Sequence, residues 1–204
     1  MPSRLEAIES EIARRGVHVS GSAVPLAYVA DLLTWRQVQA ILVAGLVAVA
    51  ILEVIRLGIG LDWWIYEYLT REYEQDNIAG YALALVSTTT VGLLAPPTIA
   101  VPALLMLTLG DPVSGLLGSG EIQSVGSGRY LELIRKSPRA LAVTFGVCTT
   151  IGLAFVAPLA AVFGGIAATV ADGIKPVIVT YVIDDNLTIP LASAVGIAAG
   201  LAVI

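Results

Sequence analysis

The chain has 204 residues, 57% of them hydrophobic and 13% charged, with a formal net charge of −5 and a mean hydropathy of +0.87. Soluble domains carry about 25% charged residues, so an ordinary water-soluble globule is excluded and an integral membrane protein is indicated. The acidic balance argues against nucleic-acid binding, and one cysteine and one histidine exclude disulfides, CxxC sites and any site built on two histidines.

Read in chain order, residues 1–15 hold Arg4, Arg14, Arg15 and three glutamates. This is a polar leading segment unlike a cleavable signal peptide. Residues 16–204 read as one membrane-embedded domain with seven predicted helices, at 16–33, 38–56, 77–95, 98–119, 140–157, 159–177 and 187–204. Pro25 and Asp31 interrupt the first. Asn77 to Gly110 and Ala140 to Ala171 are runs of 34 and 32 residues without Asp, Glu, Lys or Arg. A bilayer span needs about 20 residues, so each run is a helical hairpin. Pro96-Pro97 and Pro158 fall where the turns belong. The predicted fold is therefore an all-α, polytopic membrane helix bundle.

Placing the N-terminus in the cytoplasm puts Arg4, Arg14, Arg15, Arg56, Arg71, Arg129, Arg135, Lys136, Arg139 and Lys175 on the inner side and leaves only Arg36 outside. That asymmetry is a positive-inside pattern. Trp35, Trp63 and Trp64 fall near span ends, as interfacial anchors do. The expected location is the cell membrane, multi-pass, with any active site facing the cytoplasm.

Ionisable groups at span ends are expensive and are functional candidates for that reason. Asp111 ends the fourth predicted span. Asp172 and Lys175 end the sixth, and Asp184-Asp185-Asn186 precede the seventh. Gly110, Ser114 and Gly118 recur at i, i+4 and i+8, a stripe that admits a phosphate or a neighbouring helix. Helix packing explains the glycines but not Asp111, which suits Mg²⁺ held by one or two carboxylates plus substrate phosphates. Asp172 and Lys175, at i and i+3, either pair with each other or serve a metal or proton and a phosphate. An Asp or Asn before an apolar helix is an N-cap, which accounts for one acid there and not two. Lys136 and Arg139 read as a triphosphate clamp or an orientation signal, and Arg15 with His18 reads the same way. Arg71 with Glu74, and Glu53 with Arg56, read as local i, i+3 pairs. Walker A, GxGxxG and HExxH patterns do not occur.

With these residues in view, the chain resembles the dolichol kinase and phytol kinase family of CTP-using membrane lipid kinases, distantly related to phosphatidate cytidylyltransferases. Arg14-Arg15-Gly16-Val17-His18 is similar to the family's Arg-Lys-x-x-His element. Leu69-Thr70-Arg71-Glu72-Tyr73-Glu74 with Gly80-Tyr81 resembles its Arg-x-x-Glu segment, and Gly110-Asp111 through Gly118 its Gly-Asp core. Asp185-Asn186-Leu187-Thr188-Ile189-Pro190-Leu191 is nearly word for word its Asp-Asn-Leu-Thr-Val/Ile-Pro-Leu ending. Two departures stand out: Lys136-Ser137-Pro138-Arg139 keeps the family lysine without Glu-Gly, and Asp172 stands where a Glu is common.

The resemblance implies transfer of the terminal phosphate of CTP to a polyprenol hydroxyl, with Mg²⁺ as cofactor. It implies Asp111 and Asp185 as metal ligands and Asp172 as a third ligand or base. Arg15, His18, Gly110, Ser114, Gly118, Lys136, Arg139, Lys175 and Asn186 would contact nucleotide or phosphate. The alternatives are a cytidylyltransferase acting on a lipid phosphate and a non-enzymatic transporter in which Asp111 and Asp172 couple ions. Charges gathered at one end of the helices, not at the midplane, weigh against the transporter.

Overall fold

Local signals in the sequence account for most of the element boundaries in the computed structural model, which describes residues 4–60, 63, 66, 69–70, 74–117, 131–178 and 181–204. The helices are α1 (Arg4–Gly21), α2 (Ala23–Val29), α3 (Trp35–Val54), α4 (Gly80–Leu94), α5 (Pro97–Leu105), α6 (Asp111–Leu117), α7 (Pro138–Leu153), α8 (Pro158–Gly173) and α9 (Asp185–Ala202). Wider π-helical turns extend α3 over Ile55–Ile59 and join α5 to α6 over Met106–Gly110. The strands are β1 (Leu131–Arg135), β2 (Ile174–Ile178) and β3 (Tyr181–Val182).

Thr34 caps α3 by accepting from Gln37 N while the Gln37 side chain accepts from Thr34 N, a reciprocal capping box. Ser137 caps α7 ahead of Pro138, and Pro97 and Pro158 occupy first-turn positions where a missing N–H costs nothing. The predicted first span over 16–33 is not a single helix. Pro25 removes the N–H that would bond Gly21 O and crowds that carbonyl, so the chain breaks at Ser22. Seven-residue α2 follows. Asp31, at φ 57°, closes the connection in a left-handed conformation that Asp tolerates better than most residues.

Among the described residues, three helical stretches are long and apolar enough to cross a membrane: Trp35–Ile59, Pro97–Leu116 and Asp185–Ala202. Three more, α4, α7 and α8, are apolar but shorter. The Trp35–Ile59 stretch has only 17% of its apolar window buried, against 67% for Pro97–Leu116. The first therefore lies on the outside of the bundle and the second in its centre. Helix α9 packs along α8 and α4, α8 along α7, and α3 along α4. One core cluster gathers Met106, Leu107, Cys148, Ile189 and Ile197, and a second Val38, Leu42, Val91 and Leu104.

The three strands form one antiparallel sheet in the order β1-β2-β3. β1 and β2 pair from Leu131↔Ile178 to Arg135↔Ile174. The predicted helix over 159–177 stops at Gly173. Pro176 drives the preceding residue toward extended conformations, and Ile174, Val177 and Ile178 are β-branched. Pro176 has no N–H for the ladder, but its carbonyl accepts from Ile183 N at 2.8 Å. β1 lies between the fourth and fifth predicted helices, where no strand was expected.

Helices α8 and α9 touch through backbone. A Cβ added to Gly200 would lie 2.5 Å from Ala160 Cα, and one added to Gly196 would lie 2.6 Å from Phe163 O. Gly200→Ala is therefore expected to destabilise by about 1–3 kcal/mol, since packed backbone must move apart. Gly146, with nothing within 4 Å of an added Cβ, should accept Ala with a change of zero to about 1 kcal/mol in the stabilising direction. Thermal unfolding of both variants in detergent compares them directly.

Candidate functional site

The end of α3, the start of α4, the end of α5, the start of α7, the end of α8 and the start of α9 meet at one end of the bundle, and the acidic residues meet there too. Asp172, in the last turn of α8, is fully buried. Its Oδ1 accepts from Lys136 Nζ at 2.5 Å, and its Oδ2 accepts from Thr144 Oγ1 at 2.8 Å and Ser114 Oγ at 3.2 Å. The same ammonium lies 3.3 Å from Asp111 Oδ1 and 3.6 Å from Asp185 Oδ2. Lys175 Nζ lies 2.7 Å from Asp185 Oδ2 and 3.4 Å from Asp184 Oδ2. Of the two sequence readings of Asp172 and Lys175, the one that pairs them with each other is corrected. At Gly173 the chain turns from helix to strand, which carries Lys175 to Asp184 and Asp185, and Lys136 takes Asp172.

The sheet makes this exchange. Lys136 follows β1 directly, its N–H donating to Gly173 O at 3.3 Å, and Lys175 sits in β2 opposite Ile134. Antiparallel pairing therefore delivers both lysines to the acids. Burial alone would lower the pKa of Lys136, but the carboxylates of Asp185, Asp111 and Asp172 outweigh it and raise the pKa. Lys136 is cationic at neutral pH.

Asp184 is the N-cap of α9, accepting from Asn186 N at 3.0 Å, so Asp185 is released from capping. Pro190, in the second turn, lacks the N–H that would bond Asn186 O, and Ser87 of α4 supplies the donor at 2.7 Å. Asn186 is 4% exposed, and its Oδ1 has no hydrogen-bond partner among the described residues. It lines a cleft open to the surface. Arg14, Arg15 and His18 of α1 line this cleft, as do Glu74, Asp111 and Asn186. Arg15 also donates to Gly115 O at 2.8 Å, which fixes α1 against α6.

Asp111, Asp172, Asp184 and Asp185 thus gather around the two ammoniums, and Arg14 and Arg15 line the same cleft as Asp111. Asp111, Asp172 and Asp185 each offer an oxygen within 4.8 Å of the other two. Opposed ligands of Mg²⁺ lie about 4.2 Å apart, so small side-chain movements close the set. Lys136 Nζ stands among these three carboxylates. Asn186 Oδ1, without a hydrogen-bond partner among the described residues, is a hard acceptor as they are, and the oxygens are of the chemical kind that could hold a divalent cation.

Of the residues singled out by sequence, Arg15, His18, Asp111, Ser114, Lys136, Asp172, Lys175, Asp185 and Asn186 gather at this end. Gly110 does so as a packing position, because an added Cβ would meet Cys148 Sγ at 2.8 Å. Arg139 is exposed in the first turn of α7 and does not line the cleft. Gly118 lies outside the described residues, as does Arg71 and with it the expected Arg71–Glu74 pair. Tyr81 and Thr144 were not assigned roles from sequence, and Arg14 and Asp184 entered only as members of the Arg14–His18 and Asp184-Asp185-Asn186 motifs. Thr144 carries no signal, being one threonine in a long apolar run. Arg14 adjoins Arg15, and Tyr81 follows Gly80 in the family-like segment.

Comparison with protein-family models, curated proteins and solved structures returned no match.

Removing Lys136 leaves Asp172 buried without its cation. Lys136→Met is expected to cost about 3–5 kcal/mol of stability, with Asp172→Asn in the same chain restoring part of the loss. A double-mutant cycle by chemical unfolding in detergent measures the coupling.

Proposed function

We propose that the chain is a multi-pass membrane lipid kinase that moves the terminal phosphate of CTP to the hydroxyl of a polyprenol, with its N-terminus and active site on the cytoplasmic side. The observation that carries the proposal is the cleft at one end of the apolar helices. Asp111, Asn186, Arg14, Arg15 and His18 line it, and Lys136 ties Asp111 to Asp185. Phosphoryl transfer asks a protein mainly to position its reactants and neutralise developing charge, and this cleft holds groups for both. The donor and acceptor come from the resemblance to dolichol and phytol kinases, and the side of the membrane from the positive-inside pattern.

Asp111 and Asp185, with Asn186 Oδ1, are the groups to hold Mg²⁺. When bound, the ion would screen the phosphate oxygens and favour departure of CDP. Asp172, with both oxygens hydrogen-bonded, keeps Lys136 in place. Lys136 and Lys175 then balance phosphate charge beside the carboxylates, and Arg14, Arg15 and His18 orient the nucleotide. The hydroxyl oxygen attacks the terminal phosphorus, the bond to CDP breaks, and the hydroxyl proton is released. The apolar helices beside the cleft give the isoprenoid chain a lipid-facing surface.

The test is purified protein in detergent with Mg²⁺, γ-labelled CTP and a mixed polyprenol extract. Label is expected in lipid from the wild type, and Asp111→Asn should lower it by about a hundredfold or more. Label from α-labelled but not γ-labelled CTP would make the protein a cytidylyltransferase. No label from either, nor from ATP, would overturn the kinase.

A further inference from the structure

At Glu74, Gly80 and Tyr81 the cleft is bordered by the start of α4 and the chain before it, and one buried ion pair outside the site holds that wall. Arg56 lies in the π turn that ends α3, and Glu53 one turn earlier. Their side chains are 7% and 10% exposed. The Arg56 guanidinium uses all five of its N–H donors. Nε donates to Glu53 Oε1 at 3.0 Å, and one terminal nitrogen donates to Glu53 Oε2 at 2.7 Å and to Asn77 O. The other donates to Glu74 O and Gln75 O, both at 3.0 Å.

Glu53 completes the link to α4. Its Oε2 accepts from Ala79 N at 3.1 Å. Ala79 is the N-cap residue of α4 and has no capping side chain of its own, so Glu53 caps that helix from α3. Its Oε1 accepts from the Tyr81 hydroxyl. Glu74, Gly80 and Tyr81, held at both ends of this segment, all line the cleft. The fit there is tight, for a Cβ on Gly80 would lie 2.7 Å from Asn186 Nδ2 and 3.2 Å from Glu74 Oε1. Displacement of residues 74–80 would therefore shift Asn186 and Glu74.

A salt bridge serving only to join two helices has no need of three backbone carbonyls. Carbonyls at 74, 75 and 77 left to themselves would turn to water. A planar five-donor fork can hold them and a carboxylate together, which the three donors of a lysine ammonium cannot. We propose that Arg56, oriented by Glu53, is a positioning residue that fixes the 74–81 wall of the cleft and thereby sets nucleotide affinity without touching nucleotide. The affinity part rests on the kinase reading, while the geometric part does not.

The experiment compares wild type, Arg56→Lys, Arg56→Ala and Glu53→Gln in detergent, with two readouts. The first is the distance distribution between spin labels at Val19→Cys and Ile78→Cys. Both sites are exposed, at 45% and 47%, and native Cys148 is fully buried and stays in place. The second is KM and kcat for CTP, measured well below each variant's unfolding temperature. The label distribution is expected to broaden in Arg56→Lys and Glu53→Gln, with KM raised about tenfold, the scale for loss of an outer-shell partner, and kcat within about twofold. An equally narrow distribution with wild-type KM in folded Arg56→Lys overturns the proposal, even where stability has fallen. Should Arg56→Ala not fold, Arg56→Lys and Glu53→Gln decide. Should the wild type turn over no CTP, the kinase reading fails separately, and the label distances alone support or overturn the positioning role.

Discussion

A carboxylate taken out of water into an apolar helix bundle is tolerated only when a cation and hydrogen bonds come with it. Asp172 is the most buried case here, and the structure around it follows from that need. Thr144 and Ser114 satisfy one oxygen and Lys136 the other. Lys136 can arrive only because β1 ends beside Gly173. The small sheet is thus part of how a charged site is placed at the end of a membrane-type bundle: it supplies two lysines from segments that are not helical. Lys175 answers Asp184 and Asp185 by the same route.

Prolines set the rest of the geometry by removing donors. Pro190 frees the carbonyl of Asn186, and Ser87 of α4 takes it, so a helix defect becomes a cross-link between α4 and α9 next to the cleft. Pro25 breaks the first predicted span and leaves α1 as a separate helix whose Arg14, Arg15 and His18 reach the cleft. At Pro190 an apolar environment, where water cannot satisfy a bare carbonyl, forces a partner from elsewhere in the chain.

The helical class, both proline turns and the convergence of Asp111, Asp172 and Asp185 were readable from sequence, because charge in an otherwise apolar chain is conspicuous. The pairing of those charges was not. Asp172 and Lys175 sit three residues apart, and helical spacing assigns them to each other. Only the change to strand at Gly173, signalled weakly by Pro176 and the β-branched residues around it, separates them. Glu53 and Arg56 read correctly as a local pair, yet the carbonyls of Glu74, Gln75 and Asn77 that Arg56 also holds lie some twenty positions onward. Sequence spacing cannot show a contact made through backbone oxygen. Thr144 was invisible for a similar reason: a threonine in a helix that donates to the carbonyl four residues back looks the same whether or not a buried carboxylate stands beside it.

The position of the cleft bears on what it can serve. A midplane site surrounded by helices suits a solute that crosses the membrane. Here the charged residues lie at helix ends, reached by polar segments on one side and flanked by apolar helix surface on the other. Such a boundary suits a reaction between one water-borne and one lipid-borne partner, since neither has to leave its own phase. A triphosphate would meet arginines on α1 and carboxylates able to take a divalent cation, while a lipid alcohol would need only to bring its hydroxyl to the edge of the bundle. For the transfer proposed above, an anionic donor would be repelled by these carboxylates unless a cation lay between them, so its binding would depend on a metal and on the same carboxylates that Lys136 and Lys175 hold together.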